Sequence, residues 1–584
     1  MPRLPRCPVP AGLLCAFAIV STLFAMPHGL GAAVSPPPNI VVILADDLGY
    51  GDVHCYNPGR GKIATPNIDR LAAQGMRFTD GHSSSGVCSP SRYTLLTGRW
   101  HWRTRLQSGI VGVFGAPLIA PERVTIASLL KEHGYRTGAI GKWHLGWDWP
   151  IGDAQRQFFP GGGGKISGDA TVTDAHRAAW RDVFAKPIAG GPTKRGFDTY
   201  FGTDVPNWPP FCFIEDDRTR GIPSQFLPAE MLAKKDNLAS TQGPALADWN
   251  LDAILPVLGE HACQFIERSA KRGTPFFLYL PLTSPHTPLA VATAWKGRSG
   301  LNAYADFVME TDAIVGRVLA VLKKSGAEKN TIVVFTSDNG CAPYIGVEEL
   351  EKAGHFPSGP LRGYKSDVWE GGHRVPFIVR WPGVVAEGSR CDQLVQQADL
   401  MATFAEILRV KLPANAGEDS VSILPLLRGS EKPVRTFAVN QSSGGLPAIR
   451  KGPWKLIFGP GSGGWGKGAN DHPMQLYHLA DDLGETKNLV TEKPEVVAEL
   501  TAAMEKIVTE GRSTPGAAQA NDKAFDWKRF AKRAAKPKTA MVVPRVPILA
   551  EEKLAEQHDD FRPAAEDVAK WKYTLDATGT APIR

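Results

Sequence analysis

The 584-residue chain has no closely spaced cysteines, no internal repeat and no long apolar stretch beyond its N-terminus. Two of its eight cysteines lie in the N-terminal segment. The other six are scattered without a Cys-x-x-Cys pair: Cys55, Cys88, Cys212, Cys263, Cys341 and Cys391. This scatter excludes a zinc ribbon and a small disulfide scaffold. We expect most of these cysteines to be core residues.

The one long apolar run spans residues 11–26. Basic residues precede it and small residues at 31–33 follow it, which is the layout of a secretory signal. We therefore expect residues 1–33 to be a signal peptide and the mature protein to be periplasmic or secreted. An uncleaved membrane anchor is the alternative, although the run is short for a bilayer span. No later segment is apolar enough to cross a membrane, so we expect no stable membrane span.

Basic residues outnumber acidic ones, giving a net charge of +7, and part of the excess lies near the C-terminus. These basic positions are Lys523, Lys528, Arg529, Lys532, Arg533, Lys536 and Lys538. A solvated tail explains them better than an anionic partner, and we expect no nucleic-acid partner. The overall composition, 43% hydrophobic and 21% charged, is ordinary for a globular protein. The length is sufficient for two domains.

Buried-strand patterns alternate with helical patterns along most of the chain. Residues 39–45 are almost continuously apolar and rich in branched side chains, which is typical of a strand buried on both faces of a parallel sheet. Similar runs occur at 135–140, 275–282, 331–336 and 376–380, with helical patterns at 68–74, 124–133 and 303–323. This alternation predicts an α/β fold built on a mostly parallel sheet.

A different pattern begins near residue 431. Short strand-like runs at 448–450, 455–458 and 475–478 are separated by Gly-rich turns and followed by a helical pattern at 494–511. We predict a signal peptide at 1–33, the α/β domain at 34–430, a small antiparallel-sheet domain at 431–513 and a basic extension at 514–584. Segment 147–194, with its four consecutive glycines, and the tail after residue 513 are predicted to be irregular.

Polar residues follow four of the predicted strands. They are Asp46 and Asp47 after the first, Lys142 and His144 after the second, His286 after the third, and Asp338 and Asn339 after the fourth. Ligands bind at the carboxyl ends of strands in open α/β sheets. Adjacent aspartates alone are commonly exposed charges, but the second acid and amide pair points to a hard divalent cation. The absence of clustered His or Cys ligands disfavours zinc.

Cys88 opens another candidate segment, Cys88-Ser89-Pro90-Ser91-Arg92. A free loop cysteine is the simple interpretation of such a run. However, the following residues keep a helical period that ends at Gly98, so Cys88 is predicted to lie at a helix N-terminus. Free backbone N–H groups and the positive dipole end favour an anion there. Arg92 lies on the same helical face and can direct its guanidinium back towards residue 88.

This run resembles the Cys-x-Pro-x-Arg maturation motif of type I sulfatases, and residues 138–146, Gly-Ala-Ile-Gly-Lys-Trp-His-Leu-Gly, resemble their second signature. The similarity spans roughly residues 39–408 and is to enzymes like arylsulfatase A and N-acetylgalactosamine-6-sulfatase. It implies an alkaline-phosphatase-like fold, one bound Ca²⁺ ion and a 3-oxoalanine, or formylglycine, made from Cys88 by a separate maturation enzyme.

The resemblance also implies the roles of individual residues. The implied calcium ligands are Asp46, Asp47, Asp338, Asn339 and the converted residue 88, and the implied catalytic residues are Cys88, Arg92, Lys142, His144, His286 and Lys365. In this scheme a hydroxyl of the hydrated aldehyde attacks sulfur, and Asp338 takes its proton. The cations stabilise the sulfuryl oxygens, His286 with Lys365 protonates the leaving alcohol, and His144 assists sulfate release. Taken singly, a Lys or His in a loop is more often an ordinary residue than a functional one, and it is the match to family positions that favours a catalytic role.

Substrate choice depends on positions outside these motifs. Residues 195–209 resemble a family region beside the sulfate pocket, and Asp204, Asn207 and Trp208 are its candidate substrate-binding residues. A surface loop with a buried tryptophan is an equal alternative. We expect a sulfated carbohydrate such as a glycosaminoglycan as substrate, with aryl sulfates as surrogates. A phosphate or phosphonate monoester hydrolase and a non-catalytic binder of sulfated glycans remain as alternative functions.

Overall fold

The computed structural model describes residues 36–159, 172–227, 231, 240–468 and 472–531, so the predicted signal peptide lies outside the described residues. No helix in these ranges is both long and apolar enough to span a membrane. The strands are β1 (Asn39–Ala45), β2 (Met76–Phe78), β3 (Gly81–His82), β4 (Arg136–Lys142), β5 (Thr199–Thr203), β6 (Ile214–Glu215), β7 (Arg218–Thr219), β8 (Gln225–Phe226), β9 (Pro244–Ala245), β10 (Phe276–Pro281), β11 (Thr331–Ser337), β12 (Phe377–Arg380), β13 (Ser389–Cys391), β14 (Val395–Gln396), β15 (Ala438–Gln441), β16 (Pro447–Lys451), β17 (Trp454–Ile457) and β18 (Gln475–His478).

A ten-stranded sheet in the order β13-β2-β12-β11-β1-β10-β4-β5-β6-β7 forms the centre of the fold. Its five middle strands, β11, β1, β10, β4 and β5, are mutually parallel, and β12 joins them antiparallel to β11. The predicted α/β architecture with a mostly parallel sheet is therefore confirmed. Because the middle strands share one direction, their carboxyl ends lie along a single edge of the sheet.

Helices cover both faces of this sheet. They are α1 (Pro66–Ala73), α2 (Cys88–Thr97), α3 (Ile126–Glu132), α4 (Asp174–Phe184), α5 (Ile254–Ala270), α6 (Ala303–Lys324), α7 (Val347–Lys352), α8 (Glu370–His373), α9 (Asp399–Leu408), α10 (Leu424–Leu427) and α11 (Pro494–Glu510). Alternate residues of β1 enter different cores, Val41 and Ile43 on the side of α5 and α6, and Val42 and Leu44 on the side of α2, α3 and α9. Burial on both faces explains why the β1 sequence is continuously apolar.

One predicted feature of segment 147–194 is wrong, because the segment is not irregular throughout. It contains α4, whose apolar face buries Ala179, Trp180 and Val183. The neighbouring glycine run at 161–164 falls outside the described residues. The apolar residues of α4 recur with the spacing of an amphipathic helix. Trp180 and Phe184 belong to the core on the α2 side of the sheet.

A separate four-stranded antiparallel sheet, β15-β16-β17-β18, follows the large sheet along the chain. It packs with α11 around a third core, which also receives Trp100 and Trp102 from the segment directly after α2. Phe525 and Trp527 are buried in the same core, so the tail as far as residue 531 docks onto the fold and is not simply solvated. The small predicted sheet is confirmed, whereas the boundary at residue 430 stays a prediction.

Candidate active site

The predicted site residues meet at the carboxyl edge of the parallel strands. Asp46 and Asp47 follow β1, Asp338 and Asn339 follow the adjacent β11, Lys142 ends β4, and His286 follows β10. All six side chains are buried. The sequence separates these residues by up to roughly 300 positions, and the parallel arrangement of four neighbouring strands is what brings them together.

Cys88 enters this cluster as the first residue of α2. Val87 precedes it in an extended conformation, and Gly98 ends the helix with a φ of 62°. Ligand atoms of Cys88, Asp46, Asp47 and His286 all lie within 4.8 Å of one another. Burial raises the pKa of the Cys88 thiol to about 12, so the unmodified side chain is a neutral thiol at physiological pH.

Three buried cations pair with the three carboxylates, and Arg92 contacts two of them, because it also lies 3.3 Å from Asp46. Arg92 donates to Asp338 at 3.0 and 2.7 Å, Lys142 donates to Asp46 at 2.7 Å, and Lys365 donates to Asp47 at 2.5 Å. Removing a buried charge from water is costly unless an opposite charge compensates it, and each pair meets that condition. The formal charges of these six side chains therefore sum to zero.

The cluster also fits a divalent cation. Burial opposes ionisation of Asp46, but Lys142 and Arg92 hold its pKa well below the ordinary value. Burial and the neighbouring Asp46 raise the pKa of Asp338 to about 7. Asp46 Oδ1 and Asn339 Oδ1 accept no hydrogen bond from any described residue, although the Arg92 guanidinium lies 3.3 Å from Asp46 Oδ1. Buried oxygen acceptors without donors are suitable ligands for a hard cation such as Ca²⁺.

Asp47 is held in place by residues that the sequence analysis missed. Its φ of 63° is unusual for a non-glycine residue and requires support from the surrounding structure. The Tyr304 hydroxyl donates to the Asp47 carbonyl at 3.1 Å and lies 2.5 Å from the Asp52 carboxylate, which also contacts His355 at 2.8 Å. Asp52 lies in the turn just after Asp47, but Tyr304 and His355 come from distant segments, so no local sequence signal links those two residues to Asp47.

Two histidines border the charged cluster, and both are neutral. Burial and the charge of Lys365 lower the pKa of His286 to about 4, and its Nδ1 lies 2.5 Å from the Thr287 carbonyl. Burial, with Lys142 and Arg92, holds the pKa of His144 well below its ordinary value. His144 has a φ of 54°, and its Nε2 contacts the Val111 carbonyl at 3.1 Å. Both imidazoles can therefore accept a proton during a reaction.

Comparison with known proteins identifies the family. The sequence model described as Sulfatase matches residues 38–410. An N-acetylgalactosamine-6-O-sulfatase from Bacteroides thetaiotaomicron is 34% identical over 498 residues, covering 81% of this chain and 94% of that protein. The chain belongs to the sulfatase family. Human arylsulfatase A is 32% identical, and the alignment covers 80% of this chain and 86% of that protein. A solved structure connected with glycosaminoglycan metabolism in B. thetaiotaomicron has a TM-score of 0.70 at 31% identity, covering 81% of this chain and 99% of that one.

The inferred resemblance to arylsulfatase A-like and N-acetylgalactosamine-6-sulfatase-like enzymes is thus confirmed, and this sulfatase is a sulfuric ester hydrolase. The structural match over four fifths of the chain also confirms the alkaline-phosphatase-like fold class. The roles of individual site residues remain predictions, because these comparisons concern the family and the fold.

Two of the three candidate substrate-binding residues of the sulfatase, Asp204 and Trp208, contact His144. The Asp204 carboxylate accepts hydrogen bonds from the His144 backbone N–H and the Trp147 indole, each at 3.2 Å, and burial raises its pKa to about 6. The Trp208 ring packs edge-to-face on His144 with centroids 5.5 Å apart. Asn207 is buried, and its carbonyl accepts from the Thr241 N–H at 3.1 Å. Asp204 thus holds the His144 backbone, and Trp208 fixes the ring.

Proposed function

We propose that this sulfatase hydrolyses sulfate monoesters of a sulfated carbohydrate, using a formylglycine derived from Cys88 and a bound calcium ion. The observation that carries the proposal is the position of Cys88, at the buried start of α2 and among Asp46, Asp47 and His286. The helix N-terminus faces an anion favourably, and Arg92 lies one turn further along the same helix.

The charge of the cluster supports an anionic substrate. Without a metal the three carboxylates and three cations balance, and a Ca²⁺ ion would leave an excess of two positive charges. A buried site with that excess attracts a sulfate monoester strongly, since electrostatic interactions are larger in a water-poor environment. Asp46, Asp47, Asp338 and Asn339 would hold the calcium through their oxygens, and the metal would polarise the sulfuryl group.

The hydrated aldehyde of a formylglycine would supply an attacking hydroxyl and a second hydroxyl that permits sulfate release. Around it, Arg92, Lys142 and Lys365 would stabilise negative charge on the sulfuryl oxygens. Burial opposes charge on Lys365, but Asp47 holds its pKa well above the ordinary value, so Lys365 carries a proton beside the leaving oxygen. Lys365 would give this proton to the leaving alcohol, and neutral His286, 3.6 Å from the same Asp47 carboxylate, would act first as a proton acceptor.

The relatives support a carbohydrate substrate. The most informative is the B. thetaiotaomicron N-acetylgalactosamine-6-O-sulfatase, which aligns over most of both chains. A 6-sulfated N-acetylgalactosamine unit within a glycosaminoglycan is therefore the first substrate to test. Small aryl sulfates would serve as surrogates, because they present the same sulfate ester without the sugar.

The proposal is tested by peptide mass spectrometry followed by desulfation assays. The peptide containing residue 88 is expected to have the mass of the aldehyde form instead of the mass of the cysteine form. Protein matured in this way should desulfate one or more saccharides in a defined sulfated panel. Cys88→Ala should abolish sulfate release, whereas Cys263→Ala, a cysteine change on α5, should not. Sulfate release by purified Cys88→Ala, or faster turnover of phosphate than of sulfate esters, would contradict the proposal.

A further inference from the structure

One large aromatic side chain near the active site is left half exposed. Trp465 is 49% accessible, and Ile222 at 45% is the other large hydrophobic residue with such exposure in the described part of the chain. Burial of an indole is favourable, so an exposed one on a fixed backbone is available for contact with a ligand. Trp465 belongs to the Gly-rich connection between β17 and β18 of the small sheet.

The Trp465 ring contacts the ring of Tyr344, and this contact relates it to the catalytic cluster. The two rings pack with centroids 5.8 Å apart at 46°. Tyr344 lies three residues after Cys341, whose carbonyl accepts a hydrogen bond from the Lys365 N–H at 2.8 Å. The Tyr344–Trp465 pair therefore lies beside the segment that carries Lys365, and its indole is half exposed to solvent.

The backbone around Trp465 is fixed against the segment that follows Lys365. Gly466 donates its N–H to Asp367 at 2.7 Å, and the Ser462 carbonyl accepts from the Val368 N–H at 2.9 Å. Gly464 approaches so closely that an added Cβ would lie 2.2 Å from the Ser366 carbonyl oxygen. Both neighbours of Trp465 are glycines that are held against this segment. The backbone of Trp465 therefore has a defined position relative to Lys365.

We propose that Trp465 is a stacking platform for the sugar next to the one that carries the scissile sulfate. This inference rests on the proposed carbohydrate substrate and makes it more specific. A pyranose ring presents an apolar C–H face, which matches the flat, half-exposed indole. The exposed Lys467 lies two residues further and would favour a sulfated or carboxylated neighbour over a neutral one. The small sheet would thereby select a chain of sugars instead of an isolated sulfate ester.

The test compares two substrate lengths with protein confirmed to carry the aldehyde. The substrates are the monosaccharide and the tetrasaccharide of the sulfated series that the wild type desulfates fastest. Trp465→Ala is expected to lower the ratio of tetrasaccharide to monosaccharide kcat/KM about tenfold, mainly through KM. Trp465→Phe keeps an aromatic face and should retain most of the ratio. Ile222→Ala, the matched exposed residue on another loop, should leave the ratio at the wild-type value.

A binding measurement separates this role from support of Tyr344. In the Cys88→Ala background, Trp465→Ala should weaken tetrasaccharide binding about tenfold by calorimetry and weaken monosaccharide binding much less. Equal losses for both lengths, or an unchanged ratio, would overturn the platform assignment while leaving the proposed function intact. Failure of the wild type to desulfate any saccharide, with aryl sulfate turnover retained, would instead refute the carbohydrate substrate and the platform with it.

Discussion

Acidification should destabilise the protein through His101, a buried histidine that lies outside the active site. His101 follows α2 and is 1% exposed. Its Nε2 lies 2.6 Å from the Gln441 side-chain oxygen on β15, and its backbone N–H donates to the Thr94 hydroxyl at 3.2 Å. Burial, opposed only in part by Gln441, lowers the pKa of His101 to about 4 from an ordinary value of 6.5.

The sign and size of the effect follow from the difference between these two pKa values. Below pH 6.5 His101 binds a proton in the unfolded chain but stays neutral in the folded chain. The stability present above pH 6.5 is therefore lost as the pH falls towards 4. For pKa values of 6.5 and about 4, the loss is about 2 kcal/mol at pH 5 and approaches about 3 kcal/mol below pH 4. Other groups titrate in the same range, so the contribution of His101 must be isolated by a variant.

Urea unfolding of wild type and His101→Gln at pH 7 and pH 5 provides that comparison. Glutamine keeps an N–H donor for Gln441 but does not titrate, so the variant should lose about 2 kcal/mol less than wild type between the two pH values. His133→Gln, at an exposed position, should follow the wild type. Equal pH-dependent losses in wild type and His101→Gln would refute the reasoning and indicate that the folded state accommodates the imidazolium.

Two further perturbations test the ion pairs and the metal site. Lys455 lies 2.9 Å from Glu370 and 2.8 Å from Glu485, and all three side chains are buried, so Lys455→Met should cost about 3 kcal/mol in urea unfolding. Lys451→Met removes a cation that pairs with Glu499 at the surface and should cost less than about 0.5 kcal/mol, and similar losses in the two variants would contradict the argument. Chelating calcium should lower the thermal midpoint, because an ion present at about 100 times its Kd stabilises by about 2.7 kcal/mol. Asp338→Asn should shrink that shift, and an equal shift in both proteins would exclude the carboxylate cluster as the calcium site.

The central strands could be predicted because their burial on two faces dictates their composition. The apolar run at 39–45 coincides with β1, and those at 331–336 and 275–282 agree with β11 and β10 within a residue or so at each end. Strand β5 gave no such signal, since Thr199–Thr203 contains glycine and polar ends and is recognisable only from its pairing with β4. Helix α4 was missed although its apolar spacing was present, because the adjacent glycine run dominated the interpretation of that segment.

The central site was accessible to sequence reasoning for a related physical reason. Its charged residues directly follow strong strand patterns, and parallel strands carry such residues to one edge. The residues that support the site have no comparable signal. Tyr304 acts from within α6, and Trp465 lies on a glycine-rich loop of a different sheet. Their contacts with the site depend on how distant segments pack, which a period or a motif in one segment does not encode.

The environment of Cys88 explains why a chemical conversion of this residue suits the proposed reaction. Burial raises its pKa to about 12 even though Lys142 and Lys365 favour the thiolate, and the carboxylates of Asp338 and Asp46 add a smaller effect in the same direction as burial. An unmodified Cys88 would therefore remain a neutral, weakly nucleophilic thiol. A calcium ion would offset the carboxylates, but it would also bind a thiolate poorly, since it prefers oxygen ligands. An oxygen nucleophile at residue 88 would suit both the metal and the reaction, so the same buried, carboxylate-lined site that keeps the cysteine neutral would favour its oxygen-bearing replacement.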